Sequence, residues 1–395
     1  MEERAFNNMI YLDNAATSWP KPEAVYRAAD EALRRGGSPG RSGHKLSNAA
    51  GRTVEEARIL LARLFTATKP ESIVFTLNAT DALNLALKGV LSRGDHVITS
   101  TMEHNSVARP LEALKANGVE VTKVAMSLVS GVNLEAVKAA IKVNTKLMVF
   151  SHVSNVTGTI NPIAELGALC RESGILFLVD AAQSAGAIPI DVMKMKIDLL
   201  AFPGHKALLG PGGTGGLYIS EGLRLKPLRE GGTGSFSEML SQPEKMPDRY
   251  ESGTLNASGI AGLAEGVRFL LEHGVPAIQK KEAALTNMLL KGISEISGIT
   301  VFGPPPGEER AAVVSLLNNG IEPVQTAIIL DNVFDIAVRA GLHCAPDAHR
   351  TLGTLDAGGT VRFSIGAFNT EKDIELCLEA LRSIAEEGNL KEVRK

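Results

Sequence analysis

The chain has 395 residues, which is long enough for two domains that each bury an apolar core. Its 41 basic and 44 acidic residues leave a net charge of −3, which excludes the broad basic surface that nucleic acids and anionic membranes require. We find no signal-peptide pattern, no apolar run long enough to span a bilayer, and 3 scattered cysteines that do not form a disulfide framework. We therefore expect a cytoplasmic globular protein without a nucleic-acid or membrane partner.

Short apolar runs alternate with helical patterns from about residue 50 to residue 260. The runs are rich in Val, Ile, Leu and Phe, as strands covered on both faces are. The predicted strands are 72–76, 95–100, 146–154, 175–180, 198–202 and 215–220. Strands that alternate with helices predict a mostly parallel sheet, and the working residues of such a sheet gather at the carboxyl ends of its strands.

The pattern changes near residue 260. A long amphipathic helix begins there, a turn rich in Pro and Gly follows at 303–309, and short strand-like pieces alternate with helices to the end. We predict a large α/β domain over residues 19–260. Residues 261–395, together with residues 1–18, are assigned to a smaller α+β domain.

Two of the predicted strands end in side chains that suit one cofactor. Asp180 closes the strand 175–180, and His205 and Lys206 follow the strand 198–202. A helix N-cap explains a lone Asp equally well. If the two strands are neighbours, however, Asp180 and Lys206 face one crevice. Pyridoxal 5′-phosphate (PLP) needs this pair, a lysine for its Schiff base and an acid on its pyridinium nitrogen.

Two further segments could complete such a site. In segment 76–87 a polar turn opens into a helix, whose first N–H groups and Thr80 hydroxyl could bind a phosphate, although ordinary N-capping is the alternative. His104 follows the strand 95–100. A lone His is more often a surface or core residue, but next to a cofactor it could stack on a flat ring or relay protons.

Cys344 lies in a polar loop and differs from the other two cysteines. Arg339 and His343 are close to it in sequence, and cationic neighbours favour the reactive thiolate. Cys170 and Cys377 lie in apolar helical patterns and are predicted to be core residues. Arg362 is a candidate clamp for a carboxylate, since a guanidinium binds a carboxylate through two hydrogen bonds, and a surface salt bridge is the alternative.

Taken together, these segments resemble the class V aminotransferases, and among them the cysteine desulfurases. The motifs keep the family's order over nearly the whole chain: YLDNAATS (11–18), GRSGHKLS, TLNATDALN, MEHNS, SHVSNVTGT, LVDAAQSAG, GHKALLGPGGTGGLY, RYESGTLNASGI, RAGLHCAP and VRFSIGAFNT. The resemblance implies an α/β fold of the fold type I PLP-dependent transferases. That fold has a large domain with a mostly parallel sheet of seven-stranded type and a smaller C-terminal α+β domain.

The resemblance also implies roles for residues of this sequence. Lys206 would carry PLP, Asp180 would hold the pyridinium nitrogen and Gln183 the ring hydroxyl, and His104 would stack on the ring. The phosphate would be bound by Ala79, Thr80 and His205, and by Thr254 from the other subunit of a homodimer with a shared active site. The substrate would be bound by Asn155, Arg362, Arg339, His44 and Ala15. No metal site is expected.

The implied chemistry converts L-cysteine to L-alanine. Lys206 would remove the Cα proton of the substrate, and the Cys344 thiolate would attack its sulfur. The persulfide on Cys344 would then pass to a sulfur-acceptor protein, for iron–sulfur cluster assembly or another use of mobilised sulfur. The short spacing around Cys344 looks like the desulfurases with a compact cysteine loop.

Two positions depart from the family pattern. Pro203 replaces a Ser that often binds the phosphate, and Leu342 replaces a second His before the cysteine. Such changes fit a cysteine-desulfurase-like subfamily. Three alternatives stay open: a selenocysteine lyase acting on L-selenocysteine, another class V enzyme that does not use Cys344 (an aminotransferase, epimerase or β-lyase), and a non-enzymatic module that keeps the fold.

Overall fold

The computed structural model of the protein describes residues 9–40 and 43–393. Its helices, numbered along the chain, are α1 (Glu23–Arg35), α2 (Lys45–Leu64), α3 (Ala79–Val90), α4 (Asn105–Ala116), α5 (Leu134–Ala139), α6 (Ile163–Ser173), α7 (Ala257–His273), α8 (Val275–Ser294), α9 (Pro323–Phe334), α10 (Pro346–Leu352) and α11 (Glu371–Val393). A 3₁₀ turn, Pro70–Ser72, precedes the first strand of the large sheet.

The strands are likewise numbered along the chain. They are β1 (Ile10–Tyr11), β2 (Ile73–Thr76), β3 (His96–Ser100), β4 (Glu120–Val124), β5 (Met126–Ser127), β6 (Gly131–Val132), β7 (Thr145–Ser151), β8 (Leu176–Asp180), β9 (Leu199–Pro203), β10 (Gly215–Ile219), β11 (Ile299–Phe302), β12 (Val313–Asn318), β13 (Ile336–Ala337), β14 (Arg339–Gly341) and β15 (Thr360–Ser364).

The large sheet has seven strands in the order β2-β10-β9-β8-β7-β3-β4. Strand β10 runs antiparallel to both of its neighbours, and the other pairs are parallel. The mostly parallel sheet and all six predicted strands are thus confirmed. Strand β7 ends at Ser151, although the apolar pattern continues to residue 154.

The sequence did not predict β4, which forms one edge of this sheet. Its side chains are largely exposed or half-buried, and only Val124 is fully buried. An edge strand with polar side chains lacks the apolar run that marks a strand covered on both faces. The pattern used for the central strands therefore passes over it.

Apolar side chains cover both faces of the large sheet. Along β7, Leu147 and Val149 pack into one core, whereas Met148 and Phe150 pack into the other. Successive residues of a strand point to opposite faces, so one strand contributes to both cores. Each fully buried side chain of this size stabilises the fold by about 1.5–3 kcal/mol.

A smaller antiparallel sheet, in the order β11-β12-β15-β14, lies against α8 and α11. The chain enters along this sheet: β1 pairs with β13, and the Ala15 N–H donates to Ser364 Oγ at 2.9 Å. The Ser18 N–H then donates to His205 O at 2.9 Å, which ties the same segment to the large sheet. The segment therefore crosses from one sheet to the other.

Helices α7 and α8 lie where the two apolar cores meet. Ile260 and Leu270 of α7 and Ile278 of α8 belong to the core of the large sheet, whereas Leu285 and Leu289 of α8 belong to that of the small sheet. The domain division at residues 260 and 261 stays a prediction. Residues 1–8, 394 and 395 of the predicted small domain lie outside the described residues.

No helix in the described part of the chain combines the length and the apolar character needed to cross a bilayer.

Candidate active site

The carboxyl ends of β2, β3, β7, β8 and β9 border a cavity of about 280 Å³, far larger than the roughly 30 Å³ that one water occupies. From these ends come the predicted site residues Ala79, Thr80, His104, Asn155, Asp180, Gln183, His205 and Lys206. The small sheet contributes Arg339 and Arg362, and the entering segment contributes Ala15. Parallel strands bring these side chains to one edge of the sheet.

Asp180 lies at the base of this cavity and is 3% exposed. Its Oδ1 accepts a hydrogen bond from the Ala182 N–H at 2.9 Å, and the residues that follow form turns. The helix N-cap alternative is therefore wrong. Burial raises the pKa of Asp180 above its usual range, while the Ala182 N–H and the Lys206 ammonium lower it.

Lys206 follows β9, the neighbour of the strand that ends in Asp180. Burial, together with a smaller effect of the Arg362 guanidinium, lowers the pKa of the Lys206 amine to about 8. A neutral amine is thus accessible near neutral pH, as a nucleophile or base requires. Gly204 gives the loop its close packing, since a Cβ there would collide with the Thr214 hydroxyl.

His104 is the N-cap of α4. Its Nδ1 accepts a hydrogen bond from the Ser106 N–H at 3.0 Å, which leaves the ring proton on Nε2. The Ser106 hydroxyl lies 2.9 Å from the same Nδ1 and 2.7 Å from the Thr80 hydroxyl. Burial and the Lys206 charge lower the pKa of His104 to about 4, so the ring is neutral. A neutral, oriented imidazole suits stacking on a flat ring.

The N-terminus of α3 opens into the same cavity. Asn78 caps this helix, because its Oδ1 accepts the Asp81 N–H at 2.9 Å. The N–H groups of Ala79 and Thr80 belong to the first turn, where the helix dipole attracts an anion. Pro203 also lines the cavity and offers neither a hydroxyl nor an N–H. The side-chain phosphate contact expected at position 203 in related enzymes is thus absent.

His205 and Gln183 form hydrogen bonds with the entering segment, at residues 15–17, which borders the cavity. The backbone oxygen of His205 accepts the Thr17 hydroxyl at 3.0 Å, and Gln183 Nε2 donates to the Ala15 oxygen at 3.1 Å. Burial and the Lys206 charge lower the pKa of His205 to about 4. His205 is therefore a neutral imidazole beside the proposed phosphate position.

The antiparallel register of β14 and β15 sets Arg339 directly opposite Arg362. Arg362 is 1% exposed; its Nη2 donates to Asp13 Oδ1 at 3.0 Å and its Nη1 to the Asn155 oxygen at 3.2 Å. Its Nε has no hydrogen-bond partner among the described residues. The Asn155 amide donates to the His343 oxygen at 2.7 Å. Arg362 and Asn155, two of the predicted substrate-binding residues, are thus already held by protein partners.

Sequence reasoning missed Asp13 as a member of this cluster. Asp13 lies in the YLDNAATS motif, but its partner Arg362 is far away in sequence and no spacing rule connects them. A buried guanidinium requires a nearby anion, which is the physical signal that could have found it.

Cys344 lies in a short loop between β14 and α10 and is exposed, whereas Cys170 and Cys377 are buried as predicted. Its Sγ lies 3.6 Å from Arg339 Nη2, and its backbone oxygen accepts the Asn105 N–H at 2.7 Å. His343 and Cys344 have φ angles of 48° and 56°, in the left-handed region that costs non-glycine residues free energy. Strain of this kind is typical of functional loops.

The expectation that His343 is a cationic neighbour of Cys344 is wrong. Its Nε2 donates to the Thr360 oxygen at 3.1 Å, and burial together with the Arg362 charge lowers its pKa to about 2. His343 is therefore neutral, and Arg339 is the cation that touches the thiol.

Three predicted site residues are not among those that line this cavity. One is Cys344, which contacts the lining residue Arg339 from its loop. Thr254 and His44 are exposed and do not line the cavity in the described single chain. His44 is the N-cap of α2, and its Nδ1 accepts the Ser47 N–H at 3.3 Å. The predicted role of Thr254 requires a second subunit, and the predicted roles of both residues stay predictions.

The chain is similar in sequence to known proteins of one family. Residues 10–377 match the family model described as aminotransferase class-V. A probable cysteine desulfurase of Methanothermobacter thermautotrophicus is 37% identical over 386 residues, covering 96% of this chain and 95% of that protein. The cysteine desulfurase IscS of Vibrio campbellii is 36% identical over 392 residues, covering 94% of this chain and 92% of that protein.

Solved structures agree in fold. The apo structure of a cysteine desulfurase from Thermococcus onnurineus NA1 has a TM-score of 0.90 at 35% identity, covering 96% of both chains. The cysteine desulfurase CsdA of Escherichia coli has a TM-score of 0.86 at 27% identity, covering 98% of this chain and 96% of that one. The predicted fold type I architecture is confirmed, and this chain belongs to the class-V aminotransferase family, whose cysteine desulfurases are PLP-dependent enzymes.

Proposed function

We propose that the protein is a PLP-dependent cysteine desulfurase that forms L-alanine from L-cysteine and carries the released sulfur as a persulfide on Cys344. The observation that carries this proposal is a single cleft. Lys206 and Asp180 border it from neighbouring strands, and Arg339 reaches from it to within 3.6 Å of the exposed Cys344 thiol.

The residues present fit the cofactor. Lys206 would hold its aldehyde carbon, Asp180 its pyridinium nitrogen, and the first turn of α3 its phosphate, with His104 stacked on the ring. Among the described residues the buried Asp180 carboxylate accepts a hydrogen bond only from the Ala182 N–H, and a protonated ring nitrogen would supply a second donor. When bound, PLP withdraws electrons from the Cα of an amino acid.

Four residues carry out the remaining steps. Arg362 and the facing Arg339 both line the cavity and bind the substrate carboxylate. The Lys206 amine, with its lowered pKa, takes the Cα proton of L-cysteine. The Cys344 thiolate attacks the substrate sulfur, and an S–S bond forms as the Cβ–S bond breaks. The Cβ that receives the electron pair is protonated, and the proton held by Lys206 returns to Cα to give alanine.

The same proposal includes a homodimer in the cytoplasm and a sulfur-acceptor protein. Asn78 and Thr80 are exposed in the single chain, so the phosphate end of the cavity is open there. Thr254 of a second copy is proposed to close it, and His44 is proposed to bind the substrate. L-Selenocysteine is the alternative substrate, since the carboxylate and amine contacts of the two amino acids are the same.

The decisive experiment measures alanine formation from L-cysteine, with and without a reductant, in the wild type and in Cys344→Ala. We expect alanine from the wild type and a loss of at least about 100-fold in the variant, because the attacking thiolate is gone. Cys170→Ala, which alters a buried cysteine of α6, is the matched control and should retain activity per folded molecule.

Equal alanine formation by the wild type and Cys344→Ala would remove Cys344 from the reaction and contradict the proposal. Absence of alanine from a wild type that holds PLP would contradict it as well. Turnover of L-selenocysteine but not L-cysteine would identify a selenocysteine lyase instead.

A further inference from the structure

Glu103 is a buried carboxylate beside the active site to which neither the sequence nor the proposed chemistry assigns a role. It is 2% exposed and immediately precedes His104. Its Oε1 accepts the Ser100 hydroxyl at 2.5 Å, and its Oε2 accepts the Ser151 hydroxyl at 2.6 Å and the Ser151 N–H at 3.0 Å. Three donors on one buried carboxylate indicate a fixed position.

The position of Glu103 follows from a split in the large sheet. Strands β3 and β7 pair only as far as Ile98 and Met148. Beyond this point β3 stays with β4 through Ser100, and β7 stays with β8 through Ser151. The Ser151 N–H therefore has no strand partner on the β3 side. Glu103 Oε2 accepts it instead and so replaces the missing strand contact.

The split separates the two sides of the cofactor cavity. On one side, β3 leads through Glu103 to His104, the proposed stacking residue. On the other side, Ser151 lines the cavity and is in register with Asp180, the proposed partner of the ring nitrogen. Glu103 is the side chain that bridges these two sides through hydrogen bonds.

We propose that Glu103 is a positioning residue for the cofactor: its carboxylate ties the end of β7 to the turn that carries His104 and so fixes the gap in which the ring lies. This inference rests on the proposed function in that the ring is taken to be PLP. Glu103 acts through His104, Ser151 and Asp180 and is not placed in contact with the cofactor.

The charge state of Glu103 guides the choice of variants. Burial raises its pKa to about 7, with a smaller contribution from the nearby Asp180 charge, while the serine donors lower it. Near neutral pH the group is thus close to balance between carboxylate and carboxylic acid. Gln is a close mimic of the neutral form and keeps an acceptor oxygen, whereas Ala removes all three hydrogen bonds.

The test compares Glu103→Ala and Glu103→Gln with a matched control, Asp198→Asn. Asp198 precedes β9 at the opposite end of the sheet and accepts the Phe177 N–H of β8 at 2.9 Å. It therefore makes the same kind of strand-bridging contact far from the cavity. PLP binding is followed by the absorption spectrum of the cofactor during titration of the apoprotein.

We expect Glu103→Ala to weaken PLP binding about 10-fold and to alter the spectrum of the bound cofactor, since the loss of the carboxylate removes the acceptor of one buried N–H and two hydroxyl protons. Glu103→Gln should stay within about 3-fold of the wild type, and Asp198→Asn should bind PLP normally even if it unfolds at a lower temperature. Wild-type affinity and spectrum in Glu103→Ala, or equal losses in Glu103→Ala and Asp198→Asn, would overturn the proposal.

A second readout does not depend on the cofactor. In the apoprotein, amide hydrogen exchange at Ser151 should be faster in Glu103→Ala than in the wild type and near normal in Glu103→Gln. If Glu103→Ala does not fold, Ser100→Ala decides the question: weaker PLP binding supports the proposal, and unchanged binding overturns it. A wild type that binds PLP but forms no alanine would contradict the proposed function. It would not contradict the proposed role of Glu103 in positioning the cofactor.

Discussion

Arg339 is the residue that links the cofactor cavity to the sulfur-carrying loop. Its guanidinium lines the cavity, faces Arg362 across the small sheet and lies 3.6 Å from Cys344 Sγ. One side chain can therefore attract the substrate carboxylate and stabilise the thiolate of the acceptor cysteine. His343, which is next to Cys344 in sequence, is neutral and adds no positive charge near the thiol.

We expect Arg339→Gln to slow alkylation of Cys344 by iodoacetamide at neutral pH about 10-fold, because the thiolate loses its only contacting cation within the described residues. Mass spectrometry of the Cys344 peptide measures the rate. Arg350→Gln, which changes an exposed arginine of α10 paired with Asp347, is the control and should react at the wild-type rate. Equal rates in Arg339→Gln and the wild type would show that the guanidinium does not influence the thiol.

At the scale of elements, much of the sheet and the site followed from the sequence. The central strands are apolar runs, and their carboxyl ends carry Asp180, Lys206 and His104 as the pattern predicts. The site residues that the sequence did not predict depend on contacts between distant segments. Asp13 is recognisable only beside Arg362, and Glu103 only where β3 and β7 separate. Local periodicity carries no information about either pairing.

Helix α8 contains a second buried carboxyl group, which belongs to a different cavity. Glu282 is 7% exposed and borders a cavity between the two sheets, together with Gly186, Val313 and Phe368. Its carboxyl group takes no hydrogen bond from the residues that the structure describes. Burial raises its pKa to about 8, against a small opposing effect of Lys281.

This pKa makes the stability of the apoprotein depend on pH. Between the ordinary pKa of 4.5 and about 8, the unfolded chain has released a proton that the folded chain still holds, so raising the pH favours unfolding. We expect Glu282→Gln to raise the free energy of unfolding by a few kcal/mol at pH 8, on the order of 1.4 kcal/mol for each unit of pKa shift, and by little at pH 5.

Denaturant unfolding of the apoprotein at the two pH values measures this difference. Glu272→Gln alters an exposed carboxylate of α7 and should change stability little at either pH. A gain for Glu282→Gln that is the same at pH 5 and pH 8 would contradict the raised pKa.

At the scale of the whole molecule, we propose that the active site combines residues of two chains. Lys206 lies in the cavity, but Thr254 is exposed and lies outside it in the single chain. If a partner's Thr254 completes the phosphate site, each active site combines residues of both subunits.

Mixing two inactive variants tests this arrangement. Lys206→Ala and Thr254→Arg should each be inactive alone, yet a mixed dimer contains one site with both native residues. Equal amounts unfolded and refolded together should recover about a quarter of wild-type activity, because about half of the dimers are mixed and each has one intact site. Refolding each variant separately and then mixing is the control. No recovery, in a preparation shown to contain mixed dimers, would place both residues in the same chain's site.

The anchoring of Cys344 has a consequence for sulfur delivery. Its loop spans only residues 342–345 between β14 and α10, and its carbonyl is held by the N–H of Asn105. A tether this short cannot carry a persulfide across the surface to a distant recipient. The recipient must therefore come to the exposed Cys344 and present its thiol beside Arg339. Sulfur transfer thus depends on whether the recipient fits beside Cys344 and not on a movement of the Cys344 loop.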